Sequence, residues 1–203
     1  MKVVVTAFEP FGGKTSNRSL QIMNRLEKSP QLKRVEDIRF IEVPVVRGAP
    51  LRIMTEILRG AVTDYVLCIG EASRTGLALE HIAANERDYR IPDNEGTMSQ
   101  RESIVGNGPD HYVASFPYEF IANAAKAKHI DTNDSDDAGR FLCNELLYAA
   151  LHITHIDRSS ARVGFVHVPA GFDESAVLTD TLTAIFEKTL TDMNSEKNRQ
   201  CRA

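Results

Sequence analysis

Apolar positions along this chain fall into short unbroken runs, and between the runs they recur at helical spacing. Residues 2–8 form the first run. Val3, Val4 and Val5 are β-branched and continuous, as a strand covered on both faces requires. Residues 64–69 form a second continuous run, and residues 162–168 another that Pro169 stops. Residues 35–45 read as a strand that alternates at first and ends at Pro44, and residues 77–84 as one more. Residues 17–26 suit a helix with Leu20, Met23 and Leu26 on one face, and residues 49–58 a helix closed by Gly60. Residues 118–128 are helical, and a short extended piece over 129–132 follows. A polar turn containing Gly139 then opens a helix in which Phe141, Leu142, Glu145, Leu146 and Ala149 keep helical spacing to about His152. The last helix runs from Glu174 to about Met193, leaving 194–203 as a polar, frayed tail. Residues 97–112 are polar and show no usable period.

Strands that alternate with helices predict an α/β chain. The expectation is a single domain over residues 1–203, an α/β/α sandwich with a mostly parallel, twisted central sheet. Sites in such sheets form at the carboxyl ends of strands. That rule selects the turns after Phe8, Ile69 and His167, together with the loop before Cys143.

Composition narrows the function classes. The chain has 203 residues, enough for one sizeable core and short for two. It is 42% hydrophobic and 26% charged with a formal net charge of -4, and it has no basic block, which argues against nucleic acid as a partner. It has no apolar run of membrane-spanning length, so no membrane role is expected. Met1 to Phe8 is too short for a signal peptide and reads better as a strand. The three cysteines, Cys68, Cys143 and Cys201, lack metal-type spacing, and an odd count fits free thiols in a reducing cytoplasm.

Cys143 falls within the first turn or so of its helix. The helix dipole and unpaired N–H groups there favour an anion, so the thiol is expected to ionise more readily and to serve as a nucleophile. On this segment alone the usual fate of a lone cysteine, a small buried apolar residue, is the other reading. Of the six histidines, only His167 ends a strongly apolar strand, on the face of Val163 and Phe165, as either a hydrogen-bonded core residue or a site residue. His152 and His155 lie three apart at a helix end with no third ligand in view, which reads as a solvated face. Glu80 lies in a strand apolar on both faces. Burial unpaired would be costly, so it either faces water at a sheet edge or takes a partner such as His167, the third member of a triad. Gly12-Gly13-Lys14-Thr15-Ser16 is similar to the end of a phosphate-binding loop, but that pattern needs glycine five positions before Gly13, where Phe8 stands. Phe8 and Phe11, on either side of Pro10, suggest an apolar pocket wall or plain core packing.

Four blocks in order resemble the pyroglutamyl peptidase I (pyrrolidone-carboxylate peptidase) family of cysteine peptidases. They are Val5-Thr6-Ala7-Phe8-Glu9-Pro10-Phe11-Gly12-Gly13, Arg90-Ile91-Pro92-Asp93-Asn94-Glu95-Gly96, Ala138-Gly139-Arg140-Phe141-Leu142-Cys143-Asn144 and Gly164-Phe165-Val166-His167-Val168-Pro169. The resemblance runs to about Pro169 and is weaker in the last helix. It implies a triad of Glu80, Cys143 and His167, and a pocket lined by Phe8, Phe11, Ile91, Phe141 and Leu142. It further implies an α/β sandwich, no metal or other cofactor, and commonly a homotetramer. Arg90 is expected to add support to the transition state. The chain departs from the family's pattern at three places. Glu71-Ala72-Ser73-Arg74 replaces a Gln-Ala-Gly-Gly-Arg run, Val45 stands where a threonine is usual, and Asp136 and Asp137 add negative charge near Cys143. The expected activity is release of N-terminal pyroglutamate from peptides through a thioacyl-enzyme. A cysteine amidase acting on another N-acyl or lactam compound, and a nucleotide-binding module around residues 12–16, are the alternatives.

Overall fold

A computed structural model of the chain describes residues 1–35, 37–170 and 176–200. The continuous apolar runs form the middle of a six-stranded sheet: β1 (Lys2–Phe8), β3 (Tyr65–Ala72) and β8 (Arg162–Pro169). β2 (Asp37–Val43) flanks β1, and β4 (Leu77–Glu80) and β7 (Thr132–Ser135) complete the other side. The order is β2-β1-β3-β8-β4-β7. Every pairing is parallel except β4 with β8, so the mostly parallel α/β sheet expected from the sequence is the one observed.

Strand alternation sends successive side chains to opposite faces. Val3, Val5, Leu67, Ile69, Val166 and Val168 face one core, with α1 (Arg18–Glu27), α3 (Glu119–Lys126) and α5 (Ala176–Gln200) packed over it. Val4, Phe8, Val66, Cys68, Val163 and Phe165 face the other, under α2 (Ala49–Gly60) and α4 (Leu142–Ile156). Asn17 caps α1, its side chain accepting from the Ser19 amide. Pro50 sits in the first turn of α2, where its missing N–H costs nothing.

The structure departs from the sequence reading in three elements. The strand expected over 77–84 breaks at His81: β4 stays in the main sheet, while β5 (Ile82–Ala84) leaves it to pair antiparallel with β6 (His111–Val113). The unassigned stretch 97–112 thus holds the start of β6 and one bridge, Arg87 with Glu102. The frayed tail begins too early in the sequence reading, because α5 continues through Gln200. Met193 and Asn194 are buried, Lys197 Nζ lies 2.5 Å from Asp64 Oδ1, and Arg199 pairs with Glu196 one turn away. These contacts hold a polar segment in helix that its own composition would let fray. The expected helix start at Glu174, and Cys201 to Ala203 of the tail, lie outside the described residues.

Candidate active site

The reversed direction of β4 assembles the first part of the site. In the β4–β8 register Ala78 lies opposite His167 and Glu80 opposite Phe165. Glu80 and His167 are therefore diagonal neighbours on one face, within side-chain reach. Glu80 is fully buried and His167 is 4% exposed, with His167 Nδ1 2.7 Å from Glu80 Oε1. A carboxylate only accepts, so Nδ1 carries the proton and Nε2 is left as the basic nitrogen. Arg74 Nη2 stands 3.6 Å from the same oxygen, and Glu80 Oε2 is buried without a hydrogen bond. The Glu80 charge is therefore compensated through Oε1 alone, a costly arrangement outside a built site. Tyr118 locks the strand pair: its hydroxyl donates to Glu80 O and accepts from the Phe165 amide.

Cys143 is the second residue of α4, after Phe141 at the cap position. No cap side chain bonds that end, and the first N–H groups of the helix carry no intrahelical bond, the Cys143 amide turning instead to its own sulfur. The expectation of a readily ionised thiol is not met. Burial by surrounding protein atoms pushes the Cys143 pKa well above that of an ordinary thiol, and the nearby acidic groups Glu80, Cys68 and Glu71 raise it further. The hydrogen bond from its own backbone amide acts the other way and is outweighed. At neutral pH the resting group is a thiol, which needs a base. Cys68 is fully buried, with a pKa pushed up to about 12 by burial.

Cys143 and His167 line the same cleft, about 980 Å3 in volume. Phe11, Ile91 and Phe141 line it as well, as does Arg90. Phe8 and Leu142, read from the sequence as pocket residues, are 2% and 1% exposed and belong to the core beneath the cleft. Phe8 shares the inward face of β1 with Val4, so alternation decides its position. The wall itself is aromatic: Phe141 packs at 5.8 Å on Phe11 and edge-on at 4.9 Å on Tyr89. Glu145 holds this wall from below. It is fully buried and accepts from Arg87 Nε, Tyr89 Oη and the Gly48 amide, each at 2.8 Å.

The departures from the family's pattern also find places. Val45 is buried in the core and its amide donates to Glu9, so it offers no side chain to the cleft. Asp137 pairs with Arg140 Nη1 at 2.7 Å, which offsets its charge near Cys143. Lys14 donates to Glu71 at 2.6 Å, so the ammonium that a phosphate-binding loop would turn to its ligand is held by a carboxylate.

Sequence reasoning missed Arg74, Tyr118, the Glu145 cluster and Gly70. The signal for Gly70 was available: a glycine ending an apolar strand marks a close approach. A Cβ there would lie 3.0 Å from Cys143 Sγ and 2.6 Å from Phe165 Cζ. Gly70→Ala is therefore expected to lower the midpoint of thermal unfolding and to depress activity by more than the unfolded fraction explains. An unchanged midpoint with unchanged activity would mean that the sheet and α4 shift apart freely.

The comparisons with known proteins agree with this architecture. The profile of the pyroglutamyl peptidase family matches residues 1–185. A pyrrolidone-carboxylate peptidase of Streptococcus pyogenes serotype M12 (strain MGAS2096) is 36% identical over 170 residues, covering 83% of this chain and 78% of the relative. Among solved structures, pyroglutamyl peptidase I of Bacillus amyloliquefaciens superposes with a TM-score of 0.84 at 30% identity, over 96% of this chain and 97% of that one. Pyrrolidone carboxyl peptidase of the hyperthermophile Pyrococcus furiosus gives 0.83 at 28% identity, over 97% and 99%. With a family profile over most of its length, and a fold to match, the chain belongs to the pyroglutamyl peptidase family, a family of cysteine hydrolases.

Proposed function

We propose that this chain removes N-terminal pyroglutamate from peptides, with Cys143 as nucleophile, His167 as base and acid, and Glu80 as the group that orients His167. One observation carries the assignment of roles: a cysteine and a histidine share a cleft, and the histidine's far nitrogen is held at 2.7 Å by a fully buried carboxylate. His167 Nε2 takes the Cys143 proton as sulfur bonds to the carbonyl carbon joining pyroglutamate to the next residue. The tetrahedral intermediate collapses, the C–N bond breaks, and His167 returns the proton to the leaving amine. A thioacyl-enzyme remains. Water, deprotonated by the same nitrogen, attacks it and releases pyroglutamate and the free thiol. The uncapped N–H groups at the start of α4 point at the carbonyl oxygen and stabilise its charge, with Arg90 as a further cation on the cleft.

The active unit in this reading is the whole 1–203 chain, assembled as a homotetramer, which light scattering on the purified protein would test. Among the described residues no helix is long and apolar enough to cross a membrane. The function itself is tested by release of a chromophore from a pyroglutamyl amide, with EDTA present and absent. Release that EDTA leaves unchanged is expected; no release, or loss with EDTA and return with zinc, would overturn the reading. An amidase acting on another N-acyl or lactam compound would instead prefer a different member of a panel of amide substrates.

The direction of the thiol shift supplies a second test. With its pKa raised, Cys143 is protonated at pH 7, and its reactivity there depends on His167. In His167→Ala, alkylation of Cys143 by iodoacetamide should be slow at pH 7 and climb until well above pH 9. The wild-type protein should alkylate faster at pH 7. Equal rates for the two proteins at pH 7 would remove His167 from the role of base.

A further inference from the structure

Residues 10–14 carry Phe11 to the cleft, and a carboxylate ties each side of this turn. On the first side, Glu9 Oε1 accepts from the Val45 amide at 2.8 Å and from Asn94 Nδ2 at 2.7 Å, while Asn94 Nδ2 also donates to Pro10 O. On the second side, Glu71 Oε1 accepts from Lys14 Nζ at 2.6 Å, and Glu71 Oε2 accepts from the Arg18 amide at 2.9 Å. Between the ties, Gly12 and Gly13 have φ of 62° and 78°, a left-handed pair that closes the turn through the Lys14 amide and Phe11 O. Beyond that one bond the backbone of the turn adds no tie of its own among the described residues, and the Phe11 ring packs on Phe141 at 5.8 Å.

The Lys14–Glu71 tie differs from an ordinary surface pair. Lys14 is half exposed, but the Glu71 side chain is only 5% exposed. A pair of that kind keeps more of its strength than one in open water. It also sits inside the reaction cleft, which Lys14, Glu71, Phe11, Cys143 and His167 all line. Glu71 directly follows Gly70, the position where a Cβ would come within 3.0 Å of the Cys143 sulfur. Lys14 Nζ further lies 5.8 Å from the Phe11 ring centre, a cation on the ring's electron-rich face. One ammonium thus joins the end of β3 to the aromatic wall.

We infer that Lys14 and Glu71 are positioning residues: their ion pair pins the Phe11 wall to the end of β3 and so sets the fit of the substrate's acyl ring. The inference rests on the proposed function for its meaning in catalysis. The pin acts on binding of the ring, and the proton transfers of Cys143 and His167 do not pass through it. Loss of the pin should therefore raise KM and leave kcat near its original value. A wall that is held only part of the time binds more weakly by the fraction of time it is absent.

The test compares wild type with Lys14→Met, Lys14→Arg, Glu71→Gln and the Lys14→Met/Glu71→Gln double variant. Lys14→Met is expected to raise KM for a pyroglutamyl amide about tenfold with kcat changed less than about twofold, as displacement of a binding wall does. Lys14→Arg keeps the charge and should recover most of the loss. The double variant should be no worse than Lys14→Met, because the two changes remove one interaction. An unchanged KM in Lys14→Met, a fall in kcat at constant KM, or additive losses in the double variant would each overturn the inference. Amide hydrogen exchange across residues 11–14 gives a readout free of the assay. Exchange should be faster in Lys14→Met than in wild type, and equal exchange would show that the pair pins nothing. Should the wild type release no pyroglutamate at all, the proposed function fails, while the exchange comparison still decides the pin.

Discussion

Replacing Cys143 by alanine is expected to lower turnover of a pyroglutamyl amide by roughly a thousandfold or more. Members of a nucleophile–base–orienter unit act together, so removing one costs about as much as removing several. The fold should survive the change. Cys143 lies at the margin of the core, partly buried and lining the cleft, with its sulfur in the space that Gly70 leaves open, so truncation to alanine removes one atom from the edge of the packing. Thermal unfolding of the variant within a few degrees of wild type would separate loss of chemistry from loss of structure. His167→Ala should be similarly inactive, and the double variant should be little worse than either. Cys68→Ala provides the contrast. That thiol is fully buried in β3, far from ionising, and outside the cleft lining, so its loss should act on stability and spare turnover per folded molecule. Near-normal turnover by Cys143→Ala would remove the thiol from the mechanism and with it the thioacyl-enzyme.

The second large effect expected is selectivity for the lactam. At equal leaving group, kcat/KM for the pyroglutamyl amide should exceed that for the prolyl amide by roughly a thousandfold or more, as hydrogen-bonding sites reject analogues that leave buried groups unpaired. Pyroglutamate presents a flat uncharged ring with one N–H and one ring C=O. Phe11, Phe141 and Ile91 give the cleft an apolar wall suited to such a ring. Proline has a similar ring, but its amine is protonated and it lacks the ring carbonyl. Bringing that charge into the pocket, where the Glu71 carboxylate is already taken by Lys14, would leave it without a partner and cost several kcal/mol. An N-terminal glutamyl group adds a carboxylate to the same amine and should fare no better. Phe11→Ala should weaken the pyroglutamyl reaction, mainly through KM. Phe8→Ala should act through stability, because Phe8 is core beneath the cleft rather than its wall. Comparable values for the prolyl and pyroglutamyl amides would rule out the lactam pocket.

The sequence alone determined what depends on neighbours along the chain. The β-branched runs of β1, β3 and β8 are strands in any surroundings that bury them, and alternation within each assigns its two faces. The same local logic placed Cys143 at the start of a helix and His167 near the carboxyl end of a strand, where α/β sites form. Of the two readings open for Phe8, pocket wall or core packing, the same rule favours the second: a residue ending a strand with Val4 on its face packs in the core. Tertiary structure alone decided what depends on residues far apart in the chain. Glu80 and His167 are 87 positions apart, and nothing local dictates that β4 runs against β8 to bring them together. The thiol's direction of ionisation reversed for a related reason. A helix terminus acts over one turn, whereas desolvation and the charges of Glu80 and Glu71 come from strands that only the folded sheet sets beside Cys143. The pairing of Lys14 with Glu71, and the helical end of α5 held by Asp64, follow the same division. Periodicity is carried by adjacent residues and survives in the sequence, while charge compensation and pairing depend on which distant segments burial brings together.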